Sequence, residues 1–347
     1  MASDKPAGAS ASFSEATRIE QLSSHVYQSN LSKAFCVGAV PNGGYTSACM
    51  LAAAKIHLGP RDQPDTLTTH FEFPNRASTG PAIVIIEDVK LGQNISTLHL
   101  TLWQGGLLSQ APWIDHSVSR RVVLAYTTHT NLRTFSGISM PTGYEVTPAA
   151  ELISVSDFKA LKTSGADDVW EESKLPKAYA TMMPSLANWQ FYIPRKEPLS
   201  PGVLDMWIRL ASGEPITQST LAYVVDSFPY NMHTFLAAPA LRELLNAPRE
   251  RSNDADVKGT REKDQQRAEM WFPTVVMNME VKTALPDEGV EWLAVRVSSK
   301  QIKDGKFDLE VLVRDADGEI ITLSHHVAMI LNIVRNTGKK GKSKASL

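Results

Sequence analysis

The sequence predicts an α+β fold made of two copies of one unit, each a helix followed by an antiparallel meander. Three observations carry this reading. At 347 residues the chain is long for one domain, and a prior of about 150 residues per domain suggests two. Apolar residues recur at strand period in several runs after each of two helical segments. The same order of signals appears twice, on either side of an irregular middle.

In the first half, Pro41-Asn42-Gly43-Gly44-Tyr45 breaks a preceding strand and opens an Ala/Leu/Met-rich helix running to about Leu58. Strand-like runs follow at Leu67–Phe73, Ala82–Leu91, Ile95–Gln104 and Arg121–Thr130, where β-branched content and alternation favour a sheet. The second half opens with a strand at Met206–Leu210 and a helix from about Thr217 to Phe228. Strands are then expected at Thr274–Thr283, Trp292–Lys300, Lys306–Arg314 and Ile320–Leu331, with Asp317-Gly318 as the last hairpin turn. Thr69-His70-Phe71-Glu72-Phe73 superimposes on Met277-Asn278-Met279-Glu280-Val281, with glutamate at the same place. Element order and this strand together point to duplication of a unit of about 130 residues.

The expected organisation is a tail at 1–14, a first domain at 15–135, a proline-rich linker at 136–202, a second domain at 203–333 and a basic tail at 334–347. Seven prolines, from Pro141 to Pro201, argue against continuous secondary structure in the linker, while Trp170, Trp189 and Phe191 suggest that it docks on the surface. A mixed-charge stretch at 247–269 reads as a solvated insertion in the second domain.

Composition narrows the function. With 43% hydrophobic and 21% charged residues the chain is of average globular type. Lys+Arg 35 against Asp+Glu 37 gives a net charge of -2, which provides no basic field for nucleic acid. Two cysteines, Cys36 and Cys49, make neither a disulfide framework nor a cysteine zinc site, and fit a reducing compartment. No run is apolar for the roughly 18 residues a spanning helix needs, and no signal-peptide core is present. The expectation is a cytoplasmic protein without a membrane partner. The C-terminal Ala345-Ser346-Leu347 lacks the lysine of a peroxisomal Ser-Lys-Leu address.

Three motifs in order, Pro41-Asn42-Gly43-Gly44-Tyr45, Trp207-Ile208-Arg209 and Leu221-Ala222-Tyr223-Val224-Val225-Asp226-Ser227-Phe228, resemble the acyl-CoA thioesterase II family and its fungal thioesterase-like relatives. The similarity spans about residues 15–135 and 203–333. The resemblance implies a double hot-dog fold, in which each unit is a long helix wrapped by a curled antiparallel sheet. It also implies hydrolysis by an Asp on the second helix, a Thr or Ser on the following strand and a Gln on the last strand, which orient a water against the thioester. Asp226 matches the first role. The family strand reads Thr-Leu-Asp-Leu-Thr, whereas the corresponding run here is Val276-Met277-Asn278-Met279-Glu280, so the hydroxyl position falls on Val276. The Gln position falls on His326, with His325 beside it.

The residues themselves leave alternatives open. Asp226 lies beside the apolar stripe Leu221, Val224, Val225 and Phe228, where a carboxylate needs a partner; it is either a general base, a solvated edge residue or a partner for Arg209. Alternation puts Leu323, His325, Val327 and Met329 on a core face and Ser324, His326 and Ala328 on the other, making His326 either a proton carrier or a structural histidine. On the strand from Thr274, alternation puts Val275, Met277, Met279 and Val281 inward and leaves Thr274, Val276, Asn278 and Glu280 on the opposite face. Asn278 could there hydrogen-bond a substrate carbonyl, or simply meet solvent on the sheet surface. His70 and Glu72 occupy the equivalent places in the first half. Gly43 and Gly44, next to Tyr45, could offer helix N-terminal amides to a carbonyl or allow close packing.

No nucleotide loop, zincin helix or serine-hydrolase elbow is present, and His25, His57, His99, His116, His129 and His233 show no metal-ligand spacing. The expectation is therefore an enzyme without metal or cofactor acting on a small-molecule acyl thioester or a polyketide- or terpenoid-like substrate. Asp226, His326 and Asn278 are its candidate catalytic residues, and Gly43, Gly44, Tyr45, His70 and Val276 its candidate substrate contacts. The alternative is an isomerase, cyclase or dehydratase using Asp226 and His326. Either a monomer or a homo-oligomer is compatible with a chain that already imitates a hot-dog pair.

Overall fold

A computed structural model describes residues 11–149, 156–173, 181–196, 200–229, 270–332 and 336. The expected insertion at 247–269 lies outside the described residues, as do the expected tails apart from 11–14 and 336.

In the first half, helix α1 (Phe13–Ala16) precedes the hairpin β1 (Glu20–Ser23) and β2 (Val26–Leu31) and the small ribbon β3 (Cys36–Val37) and β4 (Val40–Pro41). Helix α2 (Gly43–Leu58) follows, and then the strands β5 (Asp65–Glu72), β6 (Gly80–Leu91), β7 (Ser96–Gln104) and β8 (Arg120–Thr130). Asn42 caps α2, its Oδ1 accepting the Tyr45 N–H at 2.9 Å. Tyr45, Met50 and Leu58 are all fully buried and Ala53 and Ala54 are too, so the helix is covered on nearly every side. A helix apolar all round belongs at the centre of a fold, and that is where the sheet holds it.

The region expected as a linker contributes α3 (Phe158–Ser164), β9 (Trp170–Glu172) and β10 (Trp189–Pro194). Strands form there because a proline denies only its own N–H to a ladder, and Pro194 closes β10 while Pro184 starts a 3-10 turn. The tryptophans dock: Trp189 stacks on Tyr223 at 5.0 Å and Phe158 meets Trp207 edge-on at 4.8 Å.

The second half begins with β11 (Val203–Leu210) and α4 (Leu221–Val225), the latter reached through a 3-10 turn at Gln218–Thr220. It continues with β12 (Met270–Trp271), β13 (Thr274–Val281), β14 (Leu293–Ser298), β15 (Ile302–Lys303), β16 (Lys306–Arg314), β17 (Ile320–Met329) and β18 (Leu331–Asn332). The helix expected to reach Phe228 stops at Val225, with Asp226 as its C-cap. Pro229 disfavours helical backbone at Phe228, and the helix ends three residues short of it.

One antiparallel sheet joins the halves in the order β1-β2-β6-β7-β8-β5-β13-β17-β16-β14-β11-β10-β9, with β15 paired to β16. This is a double hot-dog α+β fold. The seam is β5 against β13, where His70 lies directly opposite Asn278, and His70 Nδ1 is 2.7 Å from Asn278 Oδ1. These are the two residues that the internal repeat superimposes, so the pseudo-twofold axis passes through this pair. Among the described residues no helix is long and apolar enough to cross a membrane.

Candidate active site

Asp226 ends α4 against the start of α2, and the approach is so close that it dictates glycine. A Cβ on Gly44 would lie 2.2 Å from Ala222 O and 2.7 Å from Asp226 Cβ. With no side chain in the way, Gly44 N–H donates to Asp226 Oδ2 at 2.7 Å. This satisfies one of the free amides of the first turn with a carboxylate, where the helix dipole also favours it. Asn42 Nδ2 donates to the Asp226 backbone carbonyl at 3.1 Å, locking the two helix ends together. Arg209 pairs with Glu291 at 2.9 Å and leaves Asp226 to its other partners.

The second oxygen, Oδ1, accepts the Thr274 hydroxyl at 2.7 Å. Alternation puts Thr274 on the face opposite Met277, and the family resemblance puts the hydroxyl position at Val276. The register explains the correction: Thr274 pairs with Ala328, but Val276 pairs with Val327, so β13 carries one extra residue between them. The bulge turns Thr274 onto the same face as Met277. Val276 faces away, between Glu72 and Val327, both of them exposed.

His326 is completely buried and its Nδ1 lies 3.5 Å from Asp226 Oδ1. The inward face of β17 is therefore Ser324, His326 and Ala328, while His325 is exposed and Val327 is 42% exposed. The sequence reading inverted these faces because it followed apolarity, and here small and polar side chains turn toward the site. Ser324 Oγ donates to Asn278 O at 2.6 Å and so presents its oxygen to His326 Nε2 at 2.8 Å. In a neutral ring the proton then sits on Nε2, leaving a lone pair on Nδ1 toward Asp226, and Nδ1 has no hydrogen-bond partner.

Asp226, Thr274, Asn42 and Gly43 line a pocket of about 330 Å³ whose other walls include Phe73, Met183, Leu186, Trp271, Phe307 and Leu309. A polar end on an apolar chamber suits a ligand with one reactive group and a greasy body. The remaining candidates lie elsewhere. Asn278, His70 and Val276 are on the opposite face of the sheet. Tyr45 is fully buried in the core, its hydroxyl donating to Ala16 O at 2.7 Å, and burial pushes its phenol well above the ordinary value. Thr274 is the residue sequence reasoning missed; nothing in the local pattern signals a bulge. The one His/Asp cluster with metal-like geometry among the described residues, His25, His57 and Asp88, includes no residue that lines this pocket.

Comparison with known proteins identifies the family and the fold. A family model for the acyl-CoA thioesterase N-terminal domain matches residues 31–129, and one for the C-terminal domain matches residues 144–330. The chain is 81% identical over 348 residues, covering all of both chains, to the thioesterase-like protein TwmA of Talaromyces wortmannii. Among solved structures, a hot-dog protein of Alicyclobacillus acidocaldarius superimposes with a TM-score of 0.62 at 17% identity, over 92% of this chain and 97% of the other. The acyl-CoA thioesterase II TesB2 of Mycobacterium marinum gives 0.57 at 14% identity, over 92% and 98%. At these identities the two structures establish the shared fold.

Proposed function

Since the chain belongs to the acyl-CoA thioesterase family, we propose that it hydrolyses an acyl thioester in the pocket beside Asp226. One observation carries the reading: a carboxylate held by a helix amide and a threonine hydroxyl at the polar end of an apolar chamber. Asp226 takes a proton from a water whose oxygen attacks the thioester carbonyl carbon. The amide of Gly43, in the first turn of α2 and lining the same pocket, is the donor for the developing oxyanion. Collapse breaks the C–S bond, the proton passes to the leaving thiolate, and the products are a carboxylic acid and a thiol.

His326 lies behind Asp226 rather than in the pocket wall, and acts as a positioning and proton-holding residue. Its Nδ1 lone pair can receive the proton that Asp226 collects, which the glutamine of the resembled family cannot do. The same dyad also supports a second reading, proton transfer on a carbon acid without thioester cleavage, as in an isomerase, cyclase or dehydratase of specialised metabolism.

Release of free thiol from a panel of acyl-CoAs separates the two. The expected result is turnover of at least one chain length, falling about 10²- to 10⁴-fold in Asp226→Asn, the range of a lost general base. His326→Gln should lower kcat by about 10²-fold and leave KM nearly unchanged, with the pH profile altered. Thiol release by no acyl-CoA or carrier-bound acyl group would overturn hydrolysis.

A further inference from the structure

Three side chains from three separate elements converge at the edge of the first half. His25 sits in the β1–β2 turn, His57 in the last turn of α2, and Asp88 beside an irregularity in β6 where the ladder with β7 slips between Asp88 and Lys90. His57 Nε2 lies 2.8 Å from Asp88 Oδ1, and His25 Nε2 lies 3.2 Å from Asp88 Oδ2. One ligand atom from each falls within 4.8 Å of the others. Their separations of 31 and 63 residues match no metal motif, so sequence spacing was blind to them.

The outer contacts fix which ring nitrogens face inward. Ser24 O, which can only accept, is 3.1 Å from His57 Nδ1, and Ser24 Oγ is 2.9 Å from His25 Nδ1. The Tyr27 hydroxyl is 3.1 Å from His57 Nδ1 and receives the Gln21 Nε2–H at 3.3 Å. When Nδ1 of each ring donates outward, both Nε2 lone pairs point at a carboxylate, and three acceptors face one another. A ring proton on Nε2 satisfies Asp88 in the empty cluster, while a cation placed between the three takes all their lone pairs at once, and imidazole donors held by outer hydrogen bonds are the usual surroundings of a bound transition metal.

We propose that His25, His57 and Asp88 form a binding site for a divalent transition-metal cation of the zinc class. Two nitrogens and one carboxylate oxygen leave a fourth tetrahedral position for water. Neighbouring ligands at zinc lie roughly 3.3 Å apart, given bonds of about 2.0–2.2 Å. The cluster reaches that spacing by adjustments on the order of 1 Å, which the half-exposed ring of His25 can supply. His57, 10% exposed, provides the anchored member. The cation would clamp the β1–β2 hairpin to α2 and β6, and it shares no residue with the Asp226 pocket. Nitrogen donors exclude magnesium and calcium as its natural occupants.

The test is calorimetric titration of the full-length, tag-free chain with zinc chloride, paired with thermal melts. The expected result is one site per chain, a rise in Tm with zinc, and visible d–d bands of a tetrahedral N/O site when cobalt replaces zinc. His25→Ala should weaken zinc binding at least 10-fold, and Asp88→Asn likewise, while His326→Gln leaves zinc affinity unchanged. His25 is exposed enough that its variant tests the site even where Asp88→Asn fails to fold. No zinc binding by the intact chain, or binding of equal strength in His25→Ala, would overturn the proposal.

Discussion

Each half of the molecule buries a histidine on the inner face of its last long strand, and only one of them meets a carboxylate. In the second half His326 lies 3.5 Å from Asp226, with Ser324 on its other nitrogen. In the first half His129 of β8 bonds Thr127 at 2.9 Å and its Nδ1 finds no partner. The scaffolds are otherwise alike: β5 slips register against β8 between Thr66 and Thr68, as β13 slips against β17 between Thr274 and Val276. The bulged strand is therefore a property of the unit, whereas the histidines sit two residues apart in it: Met277 pairs with His326 while its counterpart Thr69 pairs with Thr127, so His129 takes the place of Ala328. What distinguishes the second half is the acid at the end of α4, received by the glycine start of α2.

The largest expected effect tests the histidine without an acid. Burial pushes His129 down to about 4, with the charge of His57 adding to it. A histidine whose folded value lies below its unfolded one resists protonation in the native state. Above about pH 6.5 it is neutral in both states and imposes no cost. As the pH falls from 6.5 toward 4 the unfolded chain takes up the proton first, and stability is lost by up to about 3 kcal/mol. Denaturant melts between pH 7 and 4 should therefore show a shallower decline for His129→Gln than for the native chain. Parallel declines would mean that the ring is charged, or reaches water, in the folded protein.

The next effect probes the bulge. Thr274→Val keeps the shape and removes the hydroxyl that holds Asp226 Oδ1, a charge-assisted bond worth about 1.5–3 kcal/mol. Thiol release should fall roughly 10- to 100-fold, and Tm should drop by a few degrees. Val276→Thr in the same background should rescue nothing, since position 276 faces outward. Rescue there would mean that the register of β13 is straight after all.

That bulge also marks the limit of what the residues revealed. The start of α2, the span Lys306–Arg314 of β16 and the carboxylate at Asp226 were all legible, because glycine, alternation and a polar residue beside an apolar stripe are local signals. The position of Thr274 was not, because one extra residue reverses every face before it and leaves no mark in composition. The faces of β17 were misread for a different reason. Val327 stays 42% exposed on the outer side, while Ser324 and His326 turn inward where hydrogen bonds hold them. The strands at Trp170–Glu172 and Trp189–Pro194 were hidden by the prolines around them.

The smallest effect belongs to the seam between the halves. Asn278 carries the polarity and position expected of a substrate contact, but it faces His70 across the pseudo-twofold axis, on the side of the sheet away from Asp226. Its backbone carbonyl, not its side chain, touches the site's support by accepting the Ser324 hydroxyl. Replacing the side chain leaves that carbonyl in place. Asn278→Ala should therefore keep kcat and KM within about twofold of the native values and lower the unfolding free energy only by what one cross-strand pair is worth, about 0.2–1 kcal/mol. Loss of activity comparable to that of Thr274→Val would place the Asn278 amide in the chemistry and reverse the assignment of faces on β13.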